Sequence, residues 1–160
     1  MFGKLKGVLG KTKNVVLAPV QGEVCPLSEV KDPTFSTEML GRGVSIKPER
    51  GRIVAPADGV ITTLFETKHA VSITTDFGAE ILIHVGLDTV KLKGKYFVSY
   101  AETDDRVKKG DLLIEFDMDN IKKAGYEVIT PVVICNSDRF PNMETTTGQR
   151  VKELDEIIRL

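Results

Sequence analysis

Tryptophan is missing from this sequence, and all aromatics together make up 6% of its 160 residues. A core without large rings has to be filled by Val, Ile and Leu, and a β-branched aliphatic core favours strands over long helices. No apolar run approaches the roughly 20 residues that a membrane-spanning helix needs, and no secretory signal is legible. There are two cysteines, Cys25 and Cys135, too few for a disulfide framework, although a single bridge between them stays open. Neither sign of charge dominates. The 22 basic and 23 acidic residues leave a net charge of −1, which speaks against nucleic acid as the partner. These absences lead to the expectation of a soluble cytoplasmic protein with reduced thiols. At this length one domain is the default, and it can fold without metal or disulfides.

The first thirteen residues differ from the rest. Phe2, Leu5, Val8 and Leu9 recur at helical spacing among Lys4, Lys6, Lys11 and Lys13, and no acid precedes Glu23. Residues 1–13 therefore read either as a basic amphipathic segment that rests weakly on an anionic membrane surface, or as a flexible tail whose Gly3, Gly7 and Gly10 weaken any helix. Met1 and this leader suggest a stand-alone subunit, with the folded domain running over residues 14–160.

From Asn14 onward, short apolar runs alternate with turns. Val15–Val20, Gly43–Pro48, Ile53–Pro56, Val60–Phe65, Ala70–Thr74, Ala79–Leu87, Leu112–Phe116, Pro131–Cys135 and Glu156–Leu160 read as strands. One helical turn is predicted over Asn120–Ala124, capped by Asp117 or Asp119 and ended by Gly125. The predicted class is all-β, an antiparallel β-sandwich of barrel-sandwich type with one or two short helical turns. Ala18-Pro19-Val20-Gln21-Gly22 is echoed by Ala55-Pro56-Ala57-Asp58-Gly59, which is read as a recurring turn type and not as proof of duplication.

Histidine is as scarce as cysteine, with His69 and His84 alone. An imidazole in an apolar strand is costly to charge, and it is also the side chain best suited to move a proton, hold a metal or carry a phosphoryl group. By strand parity Ile81, Ile83 and Val85 face one way, while Glu80, Leu82, His84 and Gly86 face the other. His84 should therefore face a cleft or a shallow apolar surface, not the core, with Gly86 allowing a ligand or backbone close approach. If residues 67–69 are extended, Thr67 and His69 point the same way, and the hydroxyl can fix the tautomer of the ring.

Phe65-Glu66-Thr67-Lys68-His69-Ala70 and His84-Val85-Gly86-Leu87-Asp88-Thr89-Val90, with Leu92-Lys93-Gly94, resemble enzyme IIA of the glucose family. Gly43–Pro48, Val54–Gly59, Val107–Asp111 and Thr130–Ile134 extend the resemblance over nearly the whole chain from Val15. This family is the phosphocarrier of the bacterial phosphoenolpyruvate–sugar phosphotransferase system. The resemblance implies that His84 is phosphorylated, that His69 supports it and that Thr67 orients His69. Asp32 and Asp88 match acidic rim residues, and Phe35, Met39, Leu40, Phe65, Leu82 and Val90 match an apolar docking surface. The donor would be the phosphohistidine carrier HPr and the acceptor a cysteine of a sugar-specific IIB domain. Regulated metabolic enzymes or permeases would be further partners of the unphosphorylated form. The backbone at Gly86 is a candidate phosphate contact. No cofactor is required. Leu82 and Val85 depart from phenylalanine, Cys135 departs from serine, and Arg139–Val151 matches poorly.

Three other readings compete. The same face could serve as a regulatory binding module without onward transfer. His69 and His84 could hold zinc, but two imidazoles close no site unless a partner shares the metal. Segments 55–60 and 106–115 suggest a biotinyl or lipoyl carrier, yet the Met-Lys-Met signature is absent.

Overall fold

The computed structural model describes residues 14–160, so the basic segment expected over residues 1–13 lies outside it. Fourteen short strands carry the described fold, all paired antiparallel. The largest sheet has eight strands. Its spatial order is β13 (Gln149–Val151), β2 (Gly22–Pro26), β3 (Arg42–Pro48), β11 (Thr130–Ile134), β7 (Glu80–His84), β6 (Ala70–Thr75), β5 (Gly59–Leu64) and β9 (Arg106–Val107). Two three-stranded sheets complete the sandwich. One orders β1 (Val15–Leu17), β14 (Glu156–Arg159) and β12 (Glu144–Thr145); the other orders β4 (Arg52–Val54), β10 (Leu112–Phe116) and β8 (Phe97–Ser99). No helix of the described residues is long and apolar enough to cross a membrane.

The core is aliphatic, as the lack of large rings requires. Its largest fully buried side chains are isoleucines and one leucine, among them Ile46, Ile61, Ile73, Ile81, Ile83, Leu113 and Ile134. Only Phe97 and Phe116 add buried rings to this main core, stacked with centroids 6.3 Å apart. Cys25 is buried and Cys135 exposed, and both are free thiols, so no bridge joins them.

The echoed turns prove to be more than a shared turn type. Leu17 N–H donates to Pro56 O and Val54 N–H to Pro19 O, each at 2.9 Å, so the two segments bind one another reciprocally. Around them Ala18 N–H donates to Asp155 O and Ala55 N–H to Asp111 O. The turns carrying those aspartates are alike as well: Asp111 Oδ2 accepts from Lys108 N–H and Asp155 Oδ2 from Lys152 N–H. The hydrogen bonding thus repeats about an approximate two-fold relation that the sequence shows only as a weak echo.

Helix α2 (Met118–Lys123) follows its expected cap, with Asp117 accepting from Asn120 N–H. A second short helix, α1 (Pro33–Ser36), falls within the one or two short turns expected, at a place the sequence reading did not assign. Asp32 caps it through Thr34 N–H at 3.0 Å, and Pro33 supplies the preset backbone of the first position. Within the poorly matching stretch 139–151, β12 and most of β13 are exposed.

Because Ile73 is fully buried on β6, Ile73→Ala should cost about 2–5 kcal/mol of unfolding free energy through lost burial and a residual cavity. Urea denaturation of the two proteins measures the difference.

Candidate active site

The antiparallel pairing of β6 with β7 sets Ala70 opposite His84. His69 immediately precedes β6, and its carbonyl accepts Val85 N–H at 2.7 Å. The two histidines therefore meet at one end of neighbouring strands, with ring centroids 4.8 Å apart and planes at 86°. Phe35 packs against the His84 ring at 5.1 Å and Phe65 against the His69 ring at 5.5 Å. Four rings thus touch in succession: Phe35, His84, His69, Phe65.

Parity along β7 holds. Ile81, Ile83 and Val85 are fully buried in the main core, and Glu80 is exposed. Beneath the histidines lies a second apolar cluster, Leu27, Val30, Phe35, Ala70, Leu82, Leu87 and Val133. This corrects part of the expected docking surface, because Phe35 and Leu82 are 3% and 9% exposed and form the floor instead. Met39, Leu40, Phe65 and Val90 do stand on the surface, at 72%, 38%, 38% and 49% exposed. The floor residues Leu27, Val30 and Leu87 were not singled out from the sequence, since nothing in their spacing ties them to the histidines.

At Gly86 the structure shows the second of the two expected uses, close approach of backbone. Its backbone φ is +79°, and a Cβ there would lie 2.5 Å from Glu127 O and 2.6 Å from Thr89 Cγ2. The glycine therefore admits protein, not ligand. Its N–H donates to Ile129 O at 3.0 Å, so it has no free donor for a phosphate. Its carbonyl instead accepts from His84 Nδ1 at 2.7 Å. A carbonyl oxygen can only accept, so Nδ1 carries the proton and Nε2 of the neutral ring is bare.

Thr67 Oγ1 and His69 Nδ1 are 2.6 Å apart, which joins the expected pair. The segment is not extended, however. Lys68 adopts φ +61° and its N–H donates to Phe65 O, so a tight turn brings the hydroxyl to the ring.

Both histidines are held neutral. Burial, assisted by the neighbouring His84, lowers the His69 pKa to about 4. Burial also lowers that of His84, against smaller opposing effects of the Gly86 carbonyl, Asp32 and Asp88. Asp32 and Asp88 border one shallow polar pocket with Lys31, Leu87 and Lys91. A separate cavity, lined by Asn14, Phe77 and Lys109 among others, does not include the histidines, of which His84 is half-buried and His69 buried. No group of three or more His, Cys, Asp or Glu able to hold a metal occurs among the described residues. The two imidazoles would thus need ligands from a partner to hold zinc.

The model of the family described as phosphoenolpyruvate-dependent sugar phosphotransferase system, EIIA 1, matches residues 14–140. The chain is 51% identical over 129 residues to the PTS system beta-glucoside-specific EIIBCA component of Bacillus subtilis (strain 168), covering 81% of this chain but only 21% of that protein. It is 46% identical over 149 residues to the PTS system glucose-specific EIIA component of Bacillus cereus, covering 92% of this chain and 90% of the relative. Among solved structures it is similar to glucose permease IIA from Mycoplasma capricolum, with a TM-score of 0.85, 38% identity and coverage of 90% and 93% of the two chains.

The buried neutral His69 has a consequence for stability. Its pKa is lower folded, about 4, than in an unfolded chain, about 6.5. The unfolded state therefore binds the proton more readily, and the stability present above pH 6.5 is lost as pH falls toward 4. His69→Gln should flatten that loss by up to about 1.4 kcal/mol per pH unit, read as the difference in urea midpoints between pH 7 and pH 4.5.

Proposed function

The chain belongs to the glucose-type EIIA family of the phosphoenolpyruvate-dependent sugar phosphotransferase system, and we propose that within it His84 Nε2 accepts the phosphoryl group from phospho-HPr and passes it to a cysteine of a IIB domain. The family role is that of a phosphotransferase component. The observation that carries the assignment to His84 is its hydrogen bond to the Gly86 carbonyl, which leaves Nε2 of this half-buried ring as the unprotonated nitrogen.

The Nε2 lone pair attacks phosphorus as the P–N bond to the HPr imidazole breaks, and that ring, protonated on its other nitrogen, departs with the bonding electrons as a neutral imidazole. Nδ1–H stays on Gly86 O throughout, so no proton has to leave His84. In the second step a IIB thiolate attacks the same phosphorus and His84 departs neutral. Phosphoryl transfer of this kind depends on in-line positioning and charge stabilisation more than on bond-making by the protein. With the Thr67 hydroxyl donating to His69 Nδ1, the proton of His69 sits on Nε2, where it can donate to a phosphoryl oxygen. A partner covering Met39, Leu40, Phe65 and Val90 excludes water from the phosphohistidine.

Asp32 and Asp88 favour arginines on the partner and help release the anionic phosphate. A IIB partner is supported by the EIIBCA relatives, of which this chain spans about a fifth. Work at the cytoplasmic face of the membrane follows from that pairing. The same apolar residues are open to regulated enzymes or permeases when His84 is unphosphorylated, or to a partner that shares a zinc between His69 and His84. Pull-downs with phosphorylated and unphosphorylated protein would separate this use from transfer.

With phosphoenolpyruvate, enzyme I and HPr, wild type should gain acid-labile phosphate and His84→Ala none. His69→Gln should still accept phosphate but pass it on about a hundredfold more slowly; equal loss in both steps would refute this division. Because burial depresses the His84 pKa, the rate of acceptance should stay level as pH falls to about 6.5 and decline only below it. A decline centred at or above that value, measured by rapid quench with HPr held fully phosphorylated, would contradict a neutral buried nucleophile.

A further inference from the structure

The carbonyl that holds the His84 proton belongs to a glycine, and glycine takes either sign of φ at little cost. The φ of +79° at Gly86 must therefore be held from outside. Two successive peptide units do this. In the unit joining residues 85 and 86, Gly86 N–H donates to Ile129 O and Val85 O accepts the Thr89 hydroxyl. In the unit joining residues 86 and 87, Leu87 N–H donates to Glu127 O and Gly86 O accepts His84 Nδ1–H. Each plane is pinned at both ends. Apart from the His84 ring itself, Thr89 is the one side chain that supplies a pin; the others are backbone groups.

Thr89 reaches Val85 O because Asp88 turns the chain back at φ +59° and Thr89 opens the 3₁₀ turn Thr89–Leu92. It is fully buried. Its methyl, Cγ2, stands 2.6 Å from where a Cβ on Gly86 would lie, so it rests against the glycine whose φ the hydroxyl secures. The other buried hydroxyls do not share this place. Ser45 and Thr130 donate to Cys25 O and Val128 O, while Thr75 and Ser137 accept from Ala79 N–H and Arg42 N–H. None of these four bonds joins a group of residues 84–88.

Without the hydroxyl, Val85 O is left in a buried place with no partner, and turning its peptide unit is the way to regain one. That turn releases φ of Gly86 and swings the Gly86 carbonyl off the ring. Nδ1–H then has no acceptor, and the neutral ring is free to carry its proton on Nε2 instead. A ring protonated there has no lone pair aimed at phosphorus.

We propose that Thr89 is a positioning residue which, by clamping Val85 O and Gly86, keeps His84 protonated on Nδ1 and bare on Nε2. The consequence for transfer rests on the reading of His84 as the phosphoryl acceptor; the state of the ring belongs to the protein alone and is measured without a partner.

The test compares Thr89→Val, which keeps the branched shape and loses the hydroxyl, with Thr89→Ser, which keeps the hydroxyl. Ile73→Ala, a cavity in the main core, controls for lost stability. Nitrogen-15 NMR of the histidine rings and amide exchange of Gly86 and Leu87 are read beside the rate of phosphate acceptance from phospho-HPr. In Thr89→Val the ratio of Nε2–H to Nδ1–H ring should rise about tenfold and both amides should exchange about tenfold faster, with acceptance slowed in proportion to the ring fraction protonated on Nε2. Thr89→Ser should restore the wild-type ring, and Ile73→Ala should never lose it. A Thr89→Val protein whose ring and amide exchange stay within about twofold of wild type would overturn the proposal whatever its Tm. An equal ring shift in Thr89→Ser or in Ile73→Ala would overturn it too, since neither lacks the hydroxyl. If Thr89→Val does not fold, Thr89→Ala, which also lacks the hydroxyl and adds no bulk, is judged by the same outcomes. If wild type takes no phosphate on His84 while Thr89→Val still moves the ring proton, the transfer reading fails and the positioning inference stands.

Discussion

The hydrogen bond from His84 Nδ1–H to the Gly86 carbonyl decides which nitrogen of the ring keeps a free lone pair, and several features of the fold keep it in place. Gly86 must adopt φ +79° to turn its carbonyl back toward the ring, and the space its Cβ would need is already taken by Glu127 O and Thr89. Thr89, fully buried, donates its hydroxyl proton to Val85 O, while Val85 N–H is held by His69 O. The loop after β7 is therefore tied at successive residues to elements on both sides. A side chain at position 86 would break the tautomer assignment before it touched any partner.

Burial and charge act in opposition on the same ring. The apolar floor of Leu27, Val30, Phe35, Leu82 and Leu87 disfavours an imidazolium, and Asp32 and Asp88 favour one, with burial the larger effect. The outcome is a neutral, half-buried ring. In the proposed role, protection of a phosphorylated ring falls to whatever covers the exposed Met39, Leu40, Phe65 and Val90. Under the proposed role, a carrier that must meet both a donor and an acceptor gains from such a site, since each partner would finish it in turn.

Much of this was legible in the residues. Parity alone separated Ile81, Ile83 and Val85 from Leu82 and His84, because a strand buried on both faces still alternates between two different clusters. The Thr67–His69 pair was legible too, although a left-handed Lys68 makes the contact where an extended chain was expected. Of the two uses read for Gly86, ligand or backbone, the structure shows the backbone approach, and a positive φ leaves the same mark in sequence for either. The place of helix α1 was missed for its four-residue length, though Asp32-Pro33 is a cap-and-first-turn signal that could have revealed it. Strand β12 and most of β13 are solvent-facing and polar, so no alternation exposes them. The reciprocal bonding of the two Ala-Pro turns is tertiary, and five matching positions could only hint at it.

The most direct measurement is nitrogen-15 NMR of the histidine side chains before and after phosphorylation by phospho-HPr. A His84 ring protonated at Nδ1 and bare at Nε2, which then carries phosphate on Nε2 while Nδ1 keeps its proton, is the expected result. A ring protonated at Nε2, or phosphate found on Nδ1 or on His69, would contradict the role given to the Gly86 carbonyl.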